Sequence, residues 1–259
     1  MLRIATWNVN SLKVRLPHVL DWLRTQRPDI LALQETKLSD ADFPTLDFAE
    51  VGYHAAFSGQ KTYNGVAILS RLPAQHLVTD LPELDDPQRR VLAATLGGVR
   101  VLNLYVPNGQ AVGSDKYLYK LDWLNKLNTW LATELSQHPK LVMLGDFNIA
   151  PEDRDVHDPI AWAGQVLCSE PERAAFRQII AQGLTDTFRL FPQEERSFSW
   201  WDYRAAAFRR NLGLRIDHIL ASSVLADRCH GCRIDTAPRR LERPSDHAPV
   251  VAEFNINLN

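Results

Sequence analysis

The sequence is poor in the features that mark secreted, membrane and nucleic-acid-coating proteins. Three cysteines in 259 residues are too few, and odd in number, for a disulfide framework. The opening residues MLRIATWNVN hold no long apolar run, and no stretch is long enough to cross a bilayer, so we expect a cytoplasmic protein without membrane contact. A net charge of −2 argues against a non-specific nucleic-acid coat, but it does not exclude an enzyme with a local basic rim.

Two further absences narrow the chemistry. Cys229 and Cys232 form a C-x-x-C pair, but no second pair completes a four-ligand zinc site, so we expect free thiols. No glycine-rich phosphate loop occurs, which argues against an enzyme of nucleoside triphosphates. Two arginine clusters either supply a basic rim or form solvated faces: Arg204, Arg209, Arg210 and Arg215, and Arg239, Arg240 and Arg243.

What the sequence does contain is a succession of short apolar segments bounded by turn residues. Several are rich in Val, Ile or aromatic residues, as β-strands are. The predicted strands are Leu2–Trp7, Ile30–Leu33, Val66–Leu69, Val91–Leu96, Val99–Val106, Leu141–Leu144, Phe198–Trp201, Ile216–Ala221 and Pro249–Phe254.

Helical periodicity separates some of these strands. Apolar residues recur at helical spacing in the segments Leu16–Leu23, Tyr119–Leu131 and Glu172–Ile180. The segment Ala150–Gln165 is polar, holds two prolines and is predicted to be a long loop. We therefore expect one α/β domain over residues 1–259, with many strands and with helices on the outside.

Polar residues follow the strands at positions where a site can form. They occur in six short runs: Trp7–Asn10, Leu33–Lys37, Asn103–Gly109, Leu144–Asn148, Asp217–His218 and Ser245–His247. Each run alone is most simply a turn or a surface pair. Together they favour a pocket, because strands that deliver polar side chains to one edge of a sheet build a ligand site there.

The residue types in these runs predict metal-assisted chemistry on a phosphate. Carboxylate and amide oxygens suit Mg²⁺, and Glu35, Asp246 and Asn8 would form a sparse oxygen set that leaves room for water and phosphate. Asp146 is a carboxylate that can take a proton from water.

Donors complete this predicted site. Asn148 and His247 can face charge that develops on a phosphate oxygen. Asp217 can hold the His247 ring in one orientation and favour its charged form. Such an arrangement fits phosphoryl chemistry, which needs positioning and charge stabilisation more than covalent catalysis.

The motifs that contain these residues, taken in order, are TWNVNSLKVR, LALQETK, GQKTYNGVAILS, DDPQRRV, LYVPNG, LGDFNIAP, FSWWDYR, GLRIDHILAS and ERPSDHAPV. As an ordered set covering essentially the whole chain, they resemble the exonuclease III family of apurinic/apyrimidinic endonucleases, within the endonuclease/exonuclease/phosphatase superfamily. The resemblance implies a four-layer α/β sandwich, in which two mixed β-sheets pack together and are flanked by helices.

The resemblance also implies a role for each polar residue. Glu35 would be the principal metal ligand, and the other residues around the ion would be Asn8, Asp246, Asp146 and Asn148. The catalytic set would comprise Asp146 as the group that aligns the attacking water, Asn148 as a phosphate-oxygen donor, Tyr105 as a phosphate contact or leaving-group aid, and the Asp217–His247 pair.

The implied substrate is double-stranded DNA with abasic sites or with blocked or free 3′ ends. A monomeric enzyme using Mg²⁺, or Mn²⁺ in its place, would cut it and leave a 3′-hydroxyl. The residues implied in the apolar pocket for a base-less sugar are Trp200, Leu214 and Ile216, and those implied near the DNA path are Lys13, Gln60, Lys61 and Arg90.

One segment departs from the family pattern. Val166 and Leu167 stand where many relatives place a small residue or a polar loop beside the sugar pocket. A bulky Leu167 would narrow that pocket. The division of work between abasic-site cleavage and 3′-end trimming is therefore open at the level of sequence.

Two other functions are compatible with parts of the pattern. Inositol-phosphate phosphatases and sphingomyelin phosphodiesterases share the superfamily, but the pairing of FSWWDYR with GLRIDH resembles the DNA-repair branch. A non-catalytic regulator, such as the catabolite-repression control proteins, would lack an intact site. The residues that argue against it are all present: Glu35, Asp146, Asn148, Asp217 and His247.

Overall fold

Two six-stranded β-sheets pack face to face in the computed structural model, which describes residues 1–258. The strands, numbered in chain order, are β1 (Leu2–Asn8), β2 (Ile30–Gln34), β3 (His54–Ser58), β4 (Val66–Ser70), β5 (Gln75–Val78), β6 (Val91–Leu96), β7 (Val99–Tyr105), β8 (Leu141–Asp146), β9 (Leu184–Asp186), β10 (Trp200–Trp201), β11 (Gly213–Leu214), β12 (Asp217–Ser222), β13 (Cys229–Ile234) and β14 (Val250–Phe254).

Helices cover the outer faces of the sheets. They are α1 (Leu12–Gln26), α2 (Thr45–Glu50), α3 (Asp115–Gln137), α4 (Pro159–Trp162), α5 (Glu170–Ala181) and α6 (Ser223–Ala226). Within the described residues, no helix combines the length and the apolar character needed to cross a membrane.

Both sheets are mixed and contain one parallel pair each. The first sheet has the order β13-β14-β1-β2-β4-β3, and the second has the order β5-β6-β7-β8-β12-β9. Strands β1 and β2 run parallel and are joined by α1, while β7 and β8 run parallel and are joined by α3. A parallel pair needs such a crossover, and it brings the carboxyl ends of its two strands to the same edge.

Three apolar layers hold these elements together. The core between the sheets is built from alternate residues of both, such as Ile4 and Val101. A second core lies between the second sheet and helices α3 and α5, and a third lies between the first sheet and helices α1 and α2. The order helix, sheet, sheet, helix confirms the four-layer α/β sandwich.

Several predicted elements need correction. The segment Phe198–Trp201 forms only the short β10, which pairs with β11 outside the main sheets. The predicted loop Ala150–Gln165 contains a 3₁₀ turn at Asp153–Asp155 and the helix α4. Edge or short strands were missed because they lack a continuous apolar run: β3, β5, β9, β11 and β13.

The cysteines are free thiols, as predicted. Cys229 and Cys232 lie on β13, and burial raises the pKa of Cys232 to about 12. Burial likewise raises the pKa of Cys168 to about 11. Thiols with such pKa values are poor nucleophiles, because the thiolate is the reactive form.

Candidate active site

The predicted site residues converge at one end of the seam between the two sheets. Asn8 ends β1, Tyr105 ends β7 and Asp146 ends β8. The register pairs Asp146 with Tyr105 on one side and with Asp217, the first residue of β12, on the other. The strand ends therefore deliver polar side chains from both sheets to one place.

Unusual backbone conformations help to shape this edge. Gly145 has a φ of 139°, and a Cβ built on it would lie 1.9 Å from the carbonyl oxygen of Leu104, so glycine is required next to Asp146. Glu35 and Asn148 are in the left-handed region, with φ values of 51° and 49°. Non-glycine residues in this region are strained by about 1–3 kcal/mol and are frequent at functional sites.

Two carboxylates from different sheets share one amide donor. Asn8 Nδ2 lies 2.9 Å from Glu35 Oε1 and 2.8 Å from Asp146 Oδ2. The Lys37 ammonium lies 2.9 Å from the Glu35 carboxylate and donates to Asn10 Oδ1 at 2.6 Å. This arrangement concentrates negative charge and partly compensates it with hydrogen-bond donors and one cation.

Burial raises the pKa values of two acidic groups at this end of the seam. Burial raises the pKa of Asp146 to about 7, and the neighbouring His247 acts in the opposite direction. Burial, followed by the charges of Glu35 and Asp146, raises the pKa of the Tyr105 hydroxyl well above its ordinary value. A carboxyl group whose pKa lies near neutrality is suited to exchange a proton with water.

His247 and Asp217 form a buried pair across the seam. His247 Nδ1 lies 2.9 Å from Asp217 Oδ2, and His247 Nε2 lies 3.7 Å from Asp146 Oδ2. Burial lowers the pKa of His247, but Asp217 and Asp146 outweigh it and raise the pKa to about 10. Ser199 Oγ donates to Asp217 Oδ2 at 2.7 Å and fixes the carboxylate from behind.

Asn148 is held by its surroundings at both ends of its amide. Its Nδ2 donates to the Val106 carbonyl at 2.9 Å, and its Oδ1 accepts from Asn108 Nδ2 at 3.2 Å. Its backbone carbonyl accepts from the fully buried Lys120 ammonium at 2.7 Å. Lys120 also pairs with Glu172 at 2.5 Å, so a buried ion pair supports the loop that carries Asn148.

Two of the predicted metal ligands lie together in a group that could hold a divalent cation. Ligand atoms of Glu35, Asp146 and His247 all lie within 4.8 Å of one another, and this is the one group of acidic, histidine or cysteine ligands found within residues 1–258. His247 directs Nδ1 to the Asp217 carboxylate, and the nearby acids raise the pKa of the ring, which favours the protonated form that donates over the neutral form that binds metals. The carboxylates of Glu35 and Asp146 are the hard oxygen donors that suit Mg²⁺.

The other three predicted metal ligands are engaged differently. Asn8 turns its Nδ2 to the carboxylates, since its Oδ1 accepts from the Asn10 backbone N–H at 3.0 Å. The Asp246 carboxylate accepts from Asn10 Nδ2 at 3.0 Å and from Trp200 Nε1 at 3.0 Å. Asn148 Oδ1 is likewise occupied by Asn108. The side-chain oxygens of these three residues thus accept hydrogen bonds, and their role as metal ligands stays a prediction.

The residues expected in the sugar pocket do come together. Leu167, Leu214, Ile216 and the partly buried Trp200 belong to one apolar cluster. Leu167 is only 4% exposed and Leu214 is fully buried, so both side chains lie in the interior of this cluster. Leu167 adopts a φ of 75°, and its N–H donates to Glu172 Oε1 at 3.0 Å. The same glutamate that pairs with Lys120 thus holds Leu167 in place.

The residues expected along the DNA path lie in two clefts. Lys13 and Lys61 line a cleft of about 550 Å³ that also contains Lys37. Gln60 and Arg90 line a cleft of about 760 Å³. The Arg90 guanidinium lies 4.7 Å from the ring centre of Tyr105, which connects this cleft to the carboxylates.

The arginine clusters give a mixed result. Arg215 and Arg239 are buried and therefore belong to neither a basic rim nor a solvated face. Arg215 pairs with Asp155 at 2.7 Å and with Asp186 at 2.8 Å. The remaining members of the two clusters are exposed: Arg204, Arg209, Arg210, Arg240 and Arg243.

Sequence reasoning missed several side chains that support the site. Asn10 and Lys37 lie in quoted motifs and contact Asp246 and Glu35, but nothing in their spacing separates them from turn residues. The Lys120–Glu172 pair joins residues 52 positions apart, and a local pattern cannot reveal such a contact.

Comparison with known proteins places this geometry in a family. The model of the endonuclease/exonuclease/phosphatase family matches residues 5–247. The chain is 36% identical to exodeoxyribonuclease III of Haemophilus influenzae, over 98% of this chain and 100% of the relative. It is 30% identical to the DNA repair nuclease APEX1 of Danio rerio, over 96% of this chain and 81% of the relative.

Solved structures agree with these sequences. A 3′ phosphatase, NExo (D146N) from Neisseria bound to a product DNA hairpin, is 51% identical with a TM-score of 0.97, covering 99% of this chain and 100% of that one. An AP endonuclease from Archaeoglobus fulgidus is 42% identical with a TM-score of 0.95, also over 99% and 100% of the two chains.

The chain therefore belongs to the endonuclease/exonuclease/phosphatase family, a class of divalent-metal-dependent hydrolases. Within that family it is an enzyme of the exodeoxyribonuclease III and AP endonuclease type, a DNA-repair phosphodiesterase.

Proposed function

We propose that this enzyme uses Mg²⁺ to hydrolyse phosphodiesters at the 3′ ends of duplex DNA and 5′ to abasic sites, with 3′-end processing as the stronger activity. The observation that carries this proposal is the apolar cluster that Leu167 forms with Leu214, Ile216 and Trp200, in which the Leu167 side chain is buried. The named activities of the relatives, 3′ phosphatase and AP endonuclease, support both halves of the proposal.

The proposed hydrolysis rests on residues from both sheets. Asp146 accepts a hydrogen bond from the attacking water and takes its proton, and its carboxylate is held for this role between Asn8 and His247. The His247 imidazolium, held by Asp217, donates toward charge on the phosphate oxygens. Asn148 fixes the same edge through its backbone, and its Nδ2, which gives one hydrogen to the Val106 carbonyl, has a second hydrogen to donate to the phosphate.

Glu35 and Asp146 are the residues that would hold the cation. When bound there, Mg²⁺ supplies charge neutralisation of the phosphate and of the departing oxygen. Tyr105, whose pKa is raised by burial and by both carboxylates, stays protonated and can donate to the leaving oxygen or to the phosphate. Lys13, Lys61 and Arg90 are placed in the flanking clefts to contact backbone phosphates on either side.

The preference for 3′ ends follows from the space beside Leu167. A base-less sugar inside a duplex must be turned out into a pocket before the phosphate reaches the carboxylates. The buried Leu167 narrows this pocket in the proposed mechanism, whereas a frayed 3′ terminus can reach the site without filling a pocket.

We further propose that the enzyme acts as a monomer, as one domain over residues 1–259, and in the cytoplasm.

Three duplex substrates test the proposal side by side: an internal abasic analogue, a free 3′ end and a 3′-phosphate. The wild-type enzyme should process both ends faster than the abasic analogue with Mg²⁺, and all activity should stop with EDTA. The variant Leu167→Gly should gain abasic-site cleavage relative to end processing, and Ile160→Gly, at an exposed residue of α4, is the matched control. An unchanged ratio in Leu167→Gly would contradict the role given to Leu167.

A further inference from the structure

The inner faces of the central strands change from apolar to polar as they approach the active site. Alternate residues of each strand face the opposite sheet, and those far from the site are apolar: Leu2 and Ile4, Ile30 and Ala32, Val99 and Val101. The next inward-facing residue of each strand, closer to the site, is polar and fully buried: Thr6, Gln34 and Asn103. The last inward-facing residues of β1 and β7 are Asn8 and Tyr105, which lie in the site itself.

Asn103 connects the two sheets through this polar layer. Its Nδ2 donates to the carbonyl oxygens of Leu33 and Ala67, both at 2.9 Å and both in the first sheet. Its Oδ1 accepts from Gln34 Nε2 at 2.8 Å, and Gln34 Nε2 also donates to Thr6 Oγ1 at 2.9 Å. Both donor hydrogens and the acceptor oxygen of the Asn103 amide are thus used on the sheet opposite its own.

A polar side chain buried at this position lowers the stability of the fold unless its groups are hydrogen bonded. Burying an amide between two apolar faces is unfavourable until every hydrogen-bonding group finds a partner. Apolar contacts between sheets are non-directional, and they tolerate small slides of one sheet over the other. Hydrogen bonds of defined length do not tolerate such slides, and buried polar groups can therefore select one arrangement of a core.

The active site depends on that arrangement because its residues are divided between the sheets. The Asn8–Asp146 contact of 2.8 Å and the His247–Asp217 contact of 2.9 Å both cross the seam. Asn103 lies two positions before Tyr105 in β7, and its partner Gln34 directly precedes Glu35. A displacement of about 1 Å at a reacting group is enough to cost roughly 10²-fold in rate.

We propose that Asn103 is a positioning residue, which fixes the register of the two sheets directly beneath the active site through Gln34 and Thr6. It touches no substrate and acts by setting the separation of groups that the two sheets contribute. This inference rests on the proposed function for its kinetic consequence, but its structural consequence is independent of metal and DNA.

The variant Asn103→Leu tests the proposal, since leucine has a similar branched shape and removes the hydrogen bonds between the sheets. We expect a folded protein whose kcat on a 3′-end substrate falls by about 10- to 100-fold while KM changes by less than about threefold. Binding of Mn²⁺ to the DNA-free protein, followed by calorimetry, should weaken by about tenfold. Thr187→Val is the matched control, because it removes a buried hydrogen bond of 2.8 Å to the Ile219 carbonyl, outside the polar layer. It should leave kcat and the affinity for Mn²⁺ unchanged.

A spectroscopic measurement separates this inference from the proposed function. The Nδ1 proton of His247, hydrogen bonded to buried Asp217, should give a downfield proton NMR signal in the metal-free protein, identified by its loss in His247→Gln. Asn103→Leu should shift or broaden this signal, and Thr187→Val should not. An unshifted signal together with wild-type Mn²⁺ affinity would overturn the inference, whether or not the wild-type protein cuts DNA.

A gentler variant covers the case in which Asn103→Leu does not fold. Thr6→Val keeps the shape of the side chain and removes one of the three hydrogen bonds that anchor the Gln34 amide. It should lower kcat and the affinity for Mn²⁺ by about twofold to fivefold each, and it should shift the His247 proton signal. A Thr6→Val protein indistinguishable from the wild type would then contradict the inference.

Discussion

Asp217 and His247 meet across the seam between the sheets, with Oδ2 of the carboxylate 2.9 Å from Nδ1 of the ring. A carboxylate only accepts, so Nδ1 carries a proton and Nε2 is left to face Asp146 at 3.7 Å. The pair therefore joins the two halves of the site, and in the proposed mechanism it supplies a charged donor to the phosphate.

Replacing Asp217 by Asn tests the charge on this pair. The amide oxygen can still accept from Nδ1, but the negative charge that favours the imidazolium is lost. We expect kcat on a 3′-end substrate to fall by about 10²–10³-fold with KM little changed, because the lost stabilisation belongs to the transition state. Asp202→Asn, at an exposed ion pair with Arg204, is the control. A fall of less than about threefold in Asp217→Asn would show that the charge is not used.

The buried Lys120–Glu172 pair predicts a large effect on stability. Lys120→Met leaves the Glu172 carboxylate unpaired at full burial, so the free energy of unfolding should drop by about 3–5 kcal/mol in urea denaturation. The double variant Lys120→Met with Glu172→Gln should recover part of this loss, since no buried charge remains. Arg177→Ala, which breaks an exposed pair with Glu170, should cost less than about 1 kcal/mol. Equal losses in Lys120→Met and Arg177→Ala would contradict the prediction.

His218 predicts a specific dependence of stability on pH. Arg215 Nη1 donates to His218 Nδ1 at 3.0 Å, so the ring is neutral and donates from Nε2 to the Ile149 carbonyl at 2.9 Å. Burial, aided by the charge of Arg215, lowers the pKa of His218 from 6.5 to about 4. The unfolded chain therefore binds a proton between these pH values that the folded protein does not bind.

The sign of the effect follows from that difference in proton binding. The contribution of His218 is fully present above about pH 6.5 and declines as the pH falls toward about 4, by up to roughly 3 kcal/mol. Urea unfolding of the wild type and of His218→Gln at several pH values measures it. The difference in stability between the two proteins should shrink as the pH falls through this window. A constant difference would contradict a neutral His218 in the folded state.

The sequence predicted the polar edge of the site better than its supports. Runs such as LQETK and GDFN place Glu35 and Asp146 after buried strands, and the spacing alone indicates that their side chains share an edge. The direction of an amide is set by partners distant in the chain. Asn8 turns its nitrogen to the carboxylates because the Asn10 backbone donates to its oxygen, and no local pattern contains that information.

In the fold, too, local sequence predicts some elements, and others depend on partners distant in the chain. Central strands such as β2 and β8 are buried on both faces and appear as continuous apolar runs, so they were predicted within one or two residues. The edge strand β5 is largely exposed, and it is a strand only because β6 pairs with it. The closure of the apolar cluster around Leu167 depends on Glu172 and on a left-handed backbone, neither of which the residue types indicate.

The most direct test of the central claim is hydrolysis of a 3′-end-labelled duplex by stoichiometric enzyme with Mg²⁺, for the wild type, Glu35→Ala and Asp146→Asn. If the two carboxylates form the metal-dependent site, the wild-type protein releases the 3′ terminus and EDTA abolishes the release. Each variant should lose at least about 10²-fold in rate while keeping the circular dichroism of the folded protein. Near-normal rates in either folded variant, or no release by the wild type with metal, would contradict the account.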